Sequence, residues 1–336
     1  MRVGFWPPVY GNWIMCDDPA LCDASFEHTK RATQLAERVG FDTLLLAEHF
    51  INPLGASVDQ LDAWTTAAAL AAATDRIEII AAVKPGLRAP GVVAKMAANI
   101  DHISGGRFAI NLVSAWWPPE YEMLGAPALT HDDRYVRAND YISIIKGLWT
   151  TQDFSYEGTY YQVRAATIAP MPMHKPHPTI YAGGESEAGR DLAASVADVY
   201  LLNGRAIEEL APIIADMERR AGLRGRRLRY GIAGFVICRE TPAAAFAELE
   251  RLAALKHGKV VGGDAQTAMH KNRSPAPLRV GINGGTDAGL VGTPEQIADQ
   301  MRKMAALGVE TFLLQFHPTF EEIERFGKEV LPLIRT

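Results

Sequence analysis

Ile77-Glu-Ile-Ile-Ala-Ala-Val83 and Phe108-Ala-Ile-Asn-Leu-Val113 are two short apolar runs, and residues 92–103 between them (Val-Val-Ala-Lys-Met-Ala-Ala-Asn-Ile-Asp-His-Ile) have helical spacing that stops at Gly105-Gly106. Both runs are continuously apolar rather than alternating. A strand of that kind is buried on both faces, which is the habit of parallel sheets covered by helices. Glycine directly after a helical run is a common C-terminal stop, because it accepts the left-handed conformation. The segment therefore reads as strand, crossover helix, parallel strand.

The same rhythm extends in both directions. Strands are expected at 2–6, 41–47, 179–182, 199–202, 228–236 and 311–315. Helices are expected at 26–39, 63–74, 132–148, 187–195, 207–221, 243–255, 293–307 and 321–334. About eight such units in one chain fit an α/β (β/α)8 TIM barrel, residues 1–336 forming a single domain. An open doubly wound sheet is the weaker choice, since no G-x-G-x-x-G follows the first strand. Two stretches break the rhythm. Residues 150–168 alternate around Gly158 and predict a small hairpin insertion. Residues 258–288 are polar and aperiodic, and predict a mobile loop over the active site.

Composition narrows the function. Of 336 residues, 48% are hydrophobic and 22% charged, enough apolar material for a large core. The net charge of −5 has no basic block, which argues against nucleic acid and against attraction to a membrane surface. No apolar run reaches the ~18 residues of a membrane span. The three cysteines have no CxxC spacing, and the start of the chain has no signal-peptide pattern; a cytoplasmic enzyme is expected. The nine histidines are scattered, with no HExxH or paired-Cys pattern, so no metal is expected. A G-x-S-x-G elbow for a serine hydrolase is also missing.

In such a barrel the active site lies at the C-terminal ends of the strands. That rule selects Trp6, Glu48-His49, Lys84, the run from Asn111 through Trp116 and Trp117 to Glu120, Gly183-Gly184-Glu185-Ser186, and His317. Glycines after a strand and a hydroxyl opening a helix suit a phosphate, because helix N-termini point N–H groups outward. Arg134 falls in the first turn of a helix, where a cation opposes the helix dipole, so it is a candidate for binding an anion. Asp132 or Asp133 is the expected N-cap of that helix. Thr293-Pro-Glu-Gln296 reads as a capping box with a structural role.

These groups, in this order, resemble the luciferase-like superfamily of flavin monooxygenases over nearly the whole chain. The anchors are Ile103-Ser-Gly-Gly-Arg-Phe108, Asn111-Leu-Val, His131-Asp-Asp-Arg-Tyr135, Gly183-Gly-Glu-Ser186, Gly289-Leu-Val-Gly-Thr-Pro294 and the terminal Phe326-Gly with Val330-Leu-Pro-Leu-Ile. The branch it looks like holds the alkanesulfonate and dimethylsulfone monooxygenases and the pyrimidine oxygenase. The resemblance implies reduced FMN from a separate NAD(P)H-dependent flavin reductase, O2 as co-substrate, and a homo-dimer or homo-tetramer. It implies that a small organosulfur or heterocyclic substrate is cleaved at a C–S or C–N bond. Glu48, His49, Asn111, Glu120, Arg134, Tyr135, Gly184, Glu185 and Ser186 would hold the flavin. His49, Asn111 and His317 would be catalytic. Trp6, Lys84, Trp116, Phe235 and Phe316 would line the substrate pocket.

There are departures. Ala233 and Phe235 stand where the alkanesulfonate enzymes carry Arg and His, Phe316 stands for a tyrosine, and Ala82 for a threonine of the pyrimidine oxygenase. A sulfonate then needs its counter-charge from Lys84, His317 or the basic residues Lys256, Lys259, Arg273 and Arg279. Two other functions compete: a deazaflavin- or nicotinamide-linked dehydrogenase on the same fold, and a flavin-binding protein without catalysis.

Overall fold

The computed structural model describes all residues except 56, 115, 116, 128, 256–277 and 336. Eight parallel strands close into a barrel: β1 (Arg2–Phe5), β2 (Thr43–Leu46), β3 (Glu78–Val83), β4 (Phe108–Leu112), β7 (Thr179–Ala182), β8 (Val199–Leu202), β9 (Arg229–Phe235) and β12 (Val309–Gln315). Neighbours in sequence are neighbours in space, and β1 pairs with both β2 and β12 to complete the ring. Right-handed β-α-β crossovers make this closure the natural outcome of the repeated unit.

The crossover helices pack outside: α1 (Phe26–Val39), α2 (Ala63–Ala73), α3 (Pro90–Ser104), α5 (His131–Thr150), α6 (Glu187–Val196), α7 (Leu210–Gly222), α8 (Pro242–Ala253), α9 (Pro294–Ala306) and α10 (Thr319–Glu329). The expected glycine stops are present, with Gly40 at φ 106° and Gly105 at φ 67°. Two buried indoles dock helices: Trp64 Nε1 donates to Ala82 O at 2.9 Å, and Trp149 Nε1 to Ala94 O at 2.9 Å. Both bury a large ring while satisfying its one polar atom.

Several boundaries differ from the sequence expectation. The long C-terminal helix is two pieces, α10 and α11 (Leu331–Arg335), because Pro332 has no N–H to continue the first helix. The α5 helix starts at His131, and its N-cap is Thr130, whose side chain accepts from Asp133 N. Neither Asp132 nor Asp133 is the cap. A short helix, α4 (Pro118–Met123), was not legible as one. The strands β5 (Phe154–Glu157) and β6 (Gln162–Ala166) form an antiparallel pair within residues 150–168. Two-residue strands β10 (Ile237–Cys238) and β11 (Val291–Gly292) form a small parallel pair beside the barrel. The capping box at Thr293 is present with both of its hydrogen bonds.

Residues 278–288 are folded against the barrel mouth. Gln315, fully buried on β12, accepts from Ile282 N at 2.9 Å and donates to Ile282 O at 3.0 Å. Gly204 N donates to Asn283 O at 2.7 Å. The rest of the long polar loop, with Lys256, Lys259 and Arg273, lies outside the described residues. Arg279 is paired with Asp287.

The opposite end of the barrel is locked by Glu37. Its Oε1 accepts from the backbone N–H groups of Asp75, Arg76 and Ile77 at 3.0, 2.7 and 2.9 Å. Burial alone would raise this carboxyl's pKa, but these donors and Arg76 outweigh it and lower it. Stability from this site is therefore present above the ordinary glutamate range and is lost as pH falls through the depressed folded value. Glu37→Ala is expected to cost roughly 2–4 kcal/mol at neutral pH by leaving backbone donors unmet. The loss should be smaller at pH 4, where the wild-type has surrendered part of the same contribution; chemical denaturation at the two pH values measures both.

Candidate active site

A cleft of about 400 Å³ opens at the C-terminal ends of the strands, within the range of small-molecule sites. The barrel strands are parallel and all run toward the same end, so the residues just past each strand converge on the mouth. The cleft has two chemically distinct parts.

One part is built for an anion. Gly183 and Gly184 follow β7, and Ser186 caps α6 by accepting from Gly189 N at 3.1 Å. Gly184 holds φ +138°, and a Cβ there would meet Gly189 Cα at 3.0 Å. The two backbones pack directly, and any side chain would push the helix N-terminus out of place. Ser186 donates to Tyr135 Oη at 3.1 Å. Arg134, one residue earlier on α5, is buried yet lines the same cleft, as do His131 and Arg190. Glu185 also lines it, but its carboxylate is held by Arg205 and by Asn203 Nδ2 at 2.9 Å.

The other part is mostly apolar. Trp6, Tyr10, Leu45, Ala47, Ala82, Leu201, Ala233 and Ile282 line it, with Asn111 and His49 among them. Asn111 sits on β4 opposite Ala82 and Tyr181, and its buried Oδ1 has no hydrogen-bond partner among the described residues. Buried amide oxygens are normally satisfied, so this one awaits a donor from an occupant of the cleft.

Beneath the apolar part lies an ionic cluster. Lys84, 2% exposed, donates to Glu120 Oε2 and lies 2.9 Å from His49 Nδ1. Glu120 is fully buried, and its Oε1 also accepts from Phe50 N at 2.6 Å. Burial would raise its pKa, but hydrogen bonds and charges from His49 and Lys84 win and hold it at about 2. Glu48 accepts from Lys84 N at 2.8 Å and from Arg88 Nε at 3.0 Å. Burial pushes Glu48 up to about 7, against the pull of Arg88 and Lys84. Arg88 in turn holds Asp62, the N-cap of α2.

The structure thus brings Trp6, Glu48, His49, Lys84, Asn111, Arg134, Tyr135, Gly184, Glu185 and Ser186 to one cleft. Four sequence candidates are elsewhere. Glu120 does not line the cleft but is fully buried against Lys84 and His49. Phe316 shares the parity of Phe312 and Leu314 on β12, so it faces the helices and packs on Phe41 and Phe326. Phe235 is fully buried beneath residues 278–288, where a Cβ on Gly281 would strike its ring, and Ile282 and Asn283 line the cleft in its stead. His317 has as its charged neighbours Arg251 and Glu248 of α8 and Glu321 of α10, and burial lowers its pKa. Trp116 lies outside the described residues. Sequence reasoning missed Tyr10, Asn203 and Asn283, which sit in loops without a pattern, and Arg88, whose role depends on Glu48.

Comparison with known proteins agrees with this layout. The model of the luciferase-like monooxygenase family matches residues 9–311. An FMNH2-dependent dimethylsulfone monooxygenase of Pseudomonas putida is 34% identical, covering 100% of this chain and 95% of that protein. A protein of the same name from Pseudomonas fluorescens (strain Pf0-1) is 32% identical over 100% of this chain and 94% of that one. Among solved structures, a long-chain alkane monooxygenase superposes with TM-score 0.80 at 20% identity, over 100% of this chain and 91% of that one. With a closed eightfold barrel, a cleft at its C-terminal mouth and a family match along most of its length, this chain belongs to the luciferase-like monooxygenase family.

Proposed function

We propose that this chain is the oxygenase component of a two-component system that binds reduced FMN and cleaves a small sulfone at a C–S bond. The observation that carries the reading is the end-to-end likeness to FMNH2-dependent dimethylsulfone monooxygenases. The residues fit FMN. The α6 N-terminus with Ser186, Tyr135 and Arg134 suits its phosphate, since helix N–H groups and a guanidinium both favour an anion. The unpaired Oδ1 of Asn111 suits a ring N–H. Bound reduced FMN supplies the electrons that activate O2, one oxygen atom going to the substrate and the other to water.

The protein's own part is to bind, orient and keep water out. Trp6, Tyr10, Leu45, Ala82 and Ala233 make an apolar wall where a methyl-bearing substrate loses little on leaving water. Lys84, the cation at this end, is already paired with Glu120, which favours an uncharged sulfone over a sulfonate. The reading carries with it a separate NAD(P)H-dependent flavin reductase, a homo-oligomer and a cytoplasmic location.

The test is to mix the protein anaerobically with reduced FMN, then add O2 with dimethylsulfone or with methanesulfonate. Sulfone loss in step with flavin oxidation, and no loss of the sulfonate, is the expected result. Failure to bind reduced FMN would sink the reading; binding with hydrogen peroxide as the sole product would remove the sulfone from it.

A further inference from the structure

His49 is one of only a few titratable side chains on the apolar wall, and its environment is set by neighbours from three elements. It follows β2, Lys84 follows β3, and Glu120 comes from α4. The Lys84 ammonium has three hydrogens and no lone pair, so toward His49 Nδ1 at 2.9 Å it can only donate. Glu120 Oε1 stands 3.6 Å from the same Nδ1, and its Oε2 accepts from the same ammonium. A neutral lysine would take from the fully buried Glu120 the cation it is bonded to, so the charged form of Lys84 is the one this geometry supports.

We propose that Lys84, anchored by Glu120, is a positioning residue that locks His49 as the neutral tautomer with its proton on Nε2. The imidazole is then a donor at Nε2 and not a base, because Nδ1 is engaged and Nε2 already carries its hydrogen. A second proton would place an imidazolium against the ammonium, both nearly out of water. The influences on the pKa of His49 do not all act in one direction. Burial lowers its pKa and so does Lys84, while Glu120 opposes them, and the result lies at about 4. Tyr10 packs edge-on at 6.5 Å between ring centroids and Trp117 at 6.0 Å; burial keeps the Tyr10 phenol protonated. Glu48, Arg88 and Asp62 complete the cluster on the Lys84 side as a chain of pairs. A fixed donor in the apolar wall suits an occupant that gathers negative charge as it reacts. That use of the donor rests on the function proposed above; the tautomer does not.

The tautomer is read directly from two-bond 1H–15N spectra of 15N-histidine-labelled protein without flavin, between pH 8 and pH 5. Subtraction of the spectrum of H49Q identifies the signal. The expected result is a protonated Nε2 and bare Nδ1 that do not change over this range. In K84M the same residue should titrate near its ordinary pKa of about 6.5, and K84R should restore the pH-independent form. Since K84M strands the Glu120 carboxylate, the double variant K84M/E120Q carries the tautomer comparison if the single one fails to fold: with no ammonium at Nδ1, the proton is no longer confined to Nε2. A proton on Nδ1, or titration between pH 6 and 7 in the unmodified protein, would overturn the proposal without bearing on which cofactor binds. A pH profile of sulfone turnover that gains an acidic limb near pH 6.5 in K84M, with the wild-type flat there, links the lock to the reaction.

Discussion

Arg134→Met is expected to weaken binding of reduced FMN by roughly 10- to 100-fold, while leaving riboflavin binding almost unchanged. The reason is local. Arg134 is buried at the first turn of α5, where its charge opposes the positive end of the helix dipole. It lines the cleft together with Ser186 and the N-terminus of α6. A phosphate seated there would gain charge-assisted hydrogen bonds worth about 1.5–3 kcal/mol, which is the stated range of affinity. Methionine keeps the length and apolar stem of the side chain, so packing should survive. Titration of flavin fluorescence or anaerobic absorbance with the two ligands measures the difference. Equal loss for FMN and riboflavin would place Arg134 in fold stability instead of phosphate binding.

Glu120→Leu should be the most destabilising single change at the mouth, by about 3–5 kcal/mol. It removes the bonded carboxylate from a lysine that is 2% exposed, leaving the ammonium with His49 Nδ1 and the charge of Glu48, which accepts from the lysine's backbone N–H. It also removes the acceptor of Phe50 N. The double variant Lys84→Met with Glu120→Leu should recover most of the loss, because the two charges leave together and similar volume remains. Urea unfolding of the two single variants and the double gives the coupling energy directly. Simple addition of the single effects would mean that the ion pair contributes nothing as a pair.

The barrel was legible in the chain because its signal is repetitive and local. A continuously apolar strand, a helix ended by glycine and another apolar strand, as in residues 77–113, recur around the ring, and each unit needs only its own residues to be recognised. The anion corner was legible for a similar reason: glycines, a hydroxyl and a helix start lie within a few positions of each other at 183–189. The boundaries that moved were those set by a single residue, such as Thr130 taking the cap from its acidic neighbours and Pro332 splitting the last helix.

What the sequence by itself determined is therefore the barrel, the end of it that bears the site, and the strand termini that supply its residues. Tertiary structure decided which of those residues face the cleft. Phe316 and His317 follow the same strand as Gln315, but strand parity and the packing of α8 and α10 turn them away. Residues 278–288 close over Phe235 through Gln315, a contact between positions 33 apart. The cluster of Glu48, His49, Lys84, Arg88 and Glu120 joins two strand ends and a helix that no local pattern connects. Its protonation states follow from burial and from pairing across the fold, and neither quantity exists until the strands have closed.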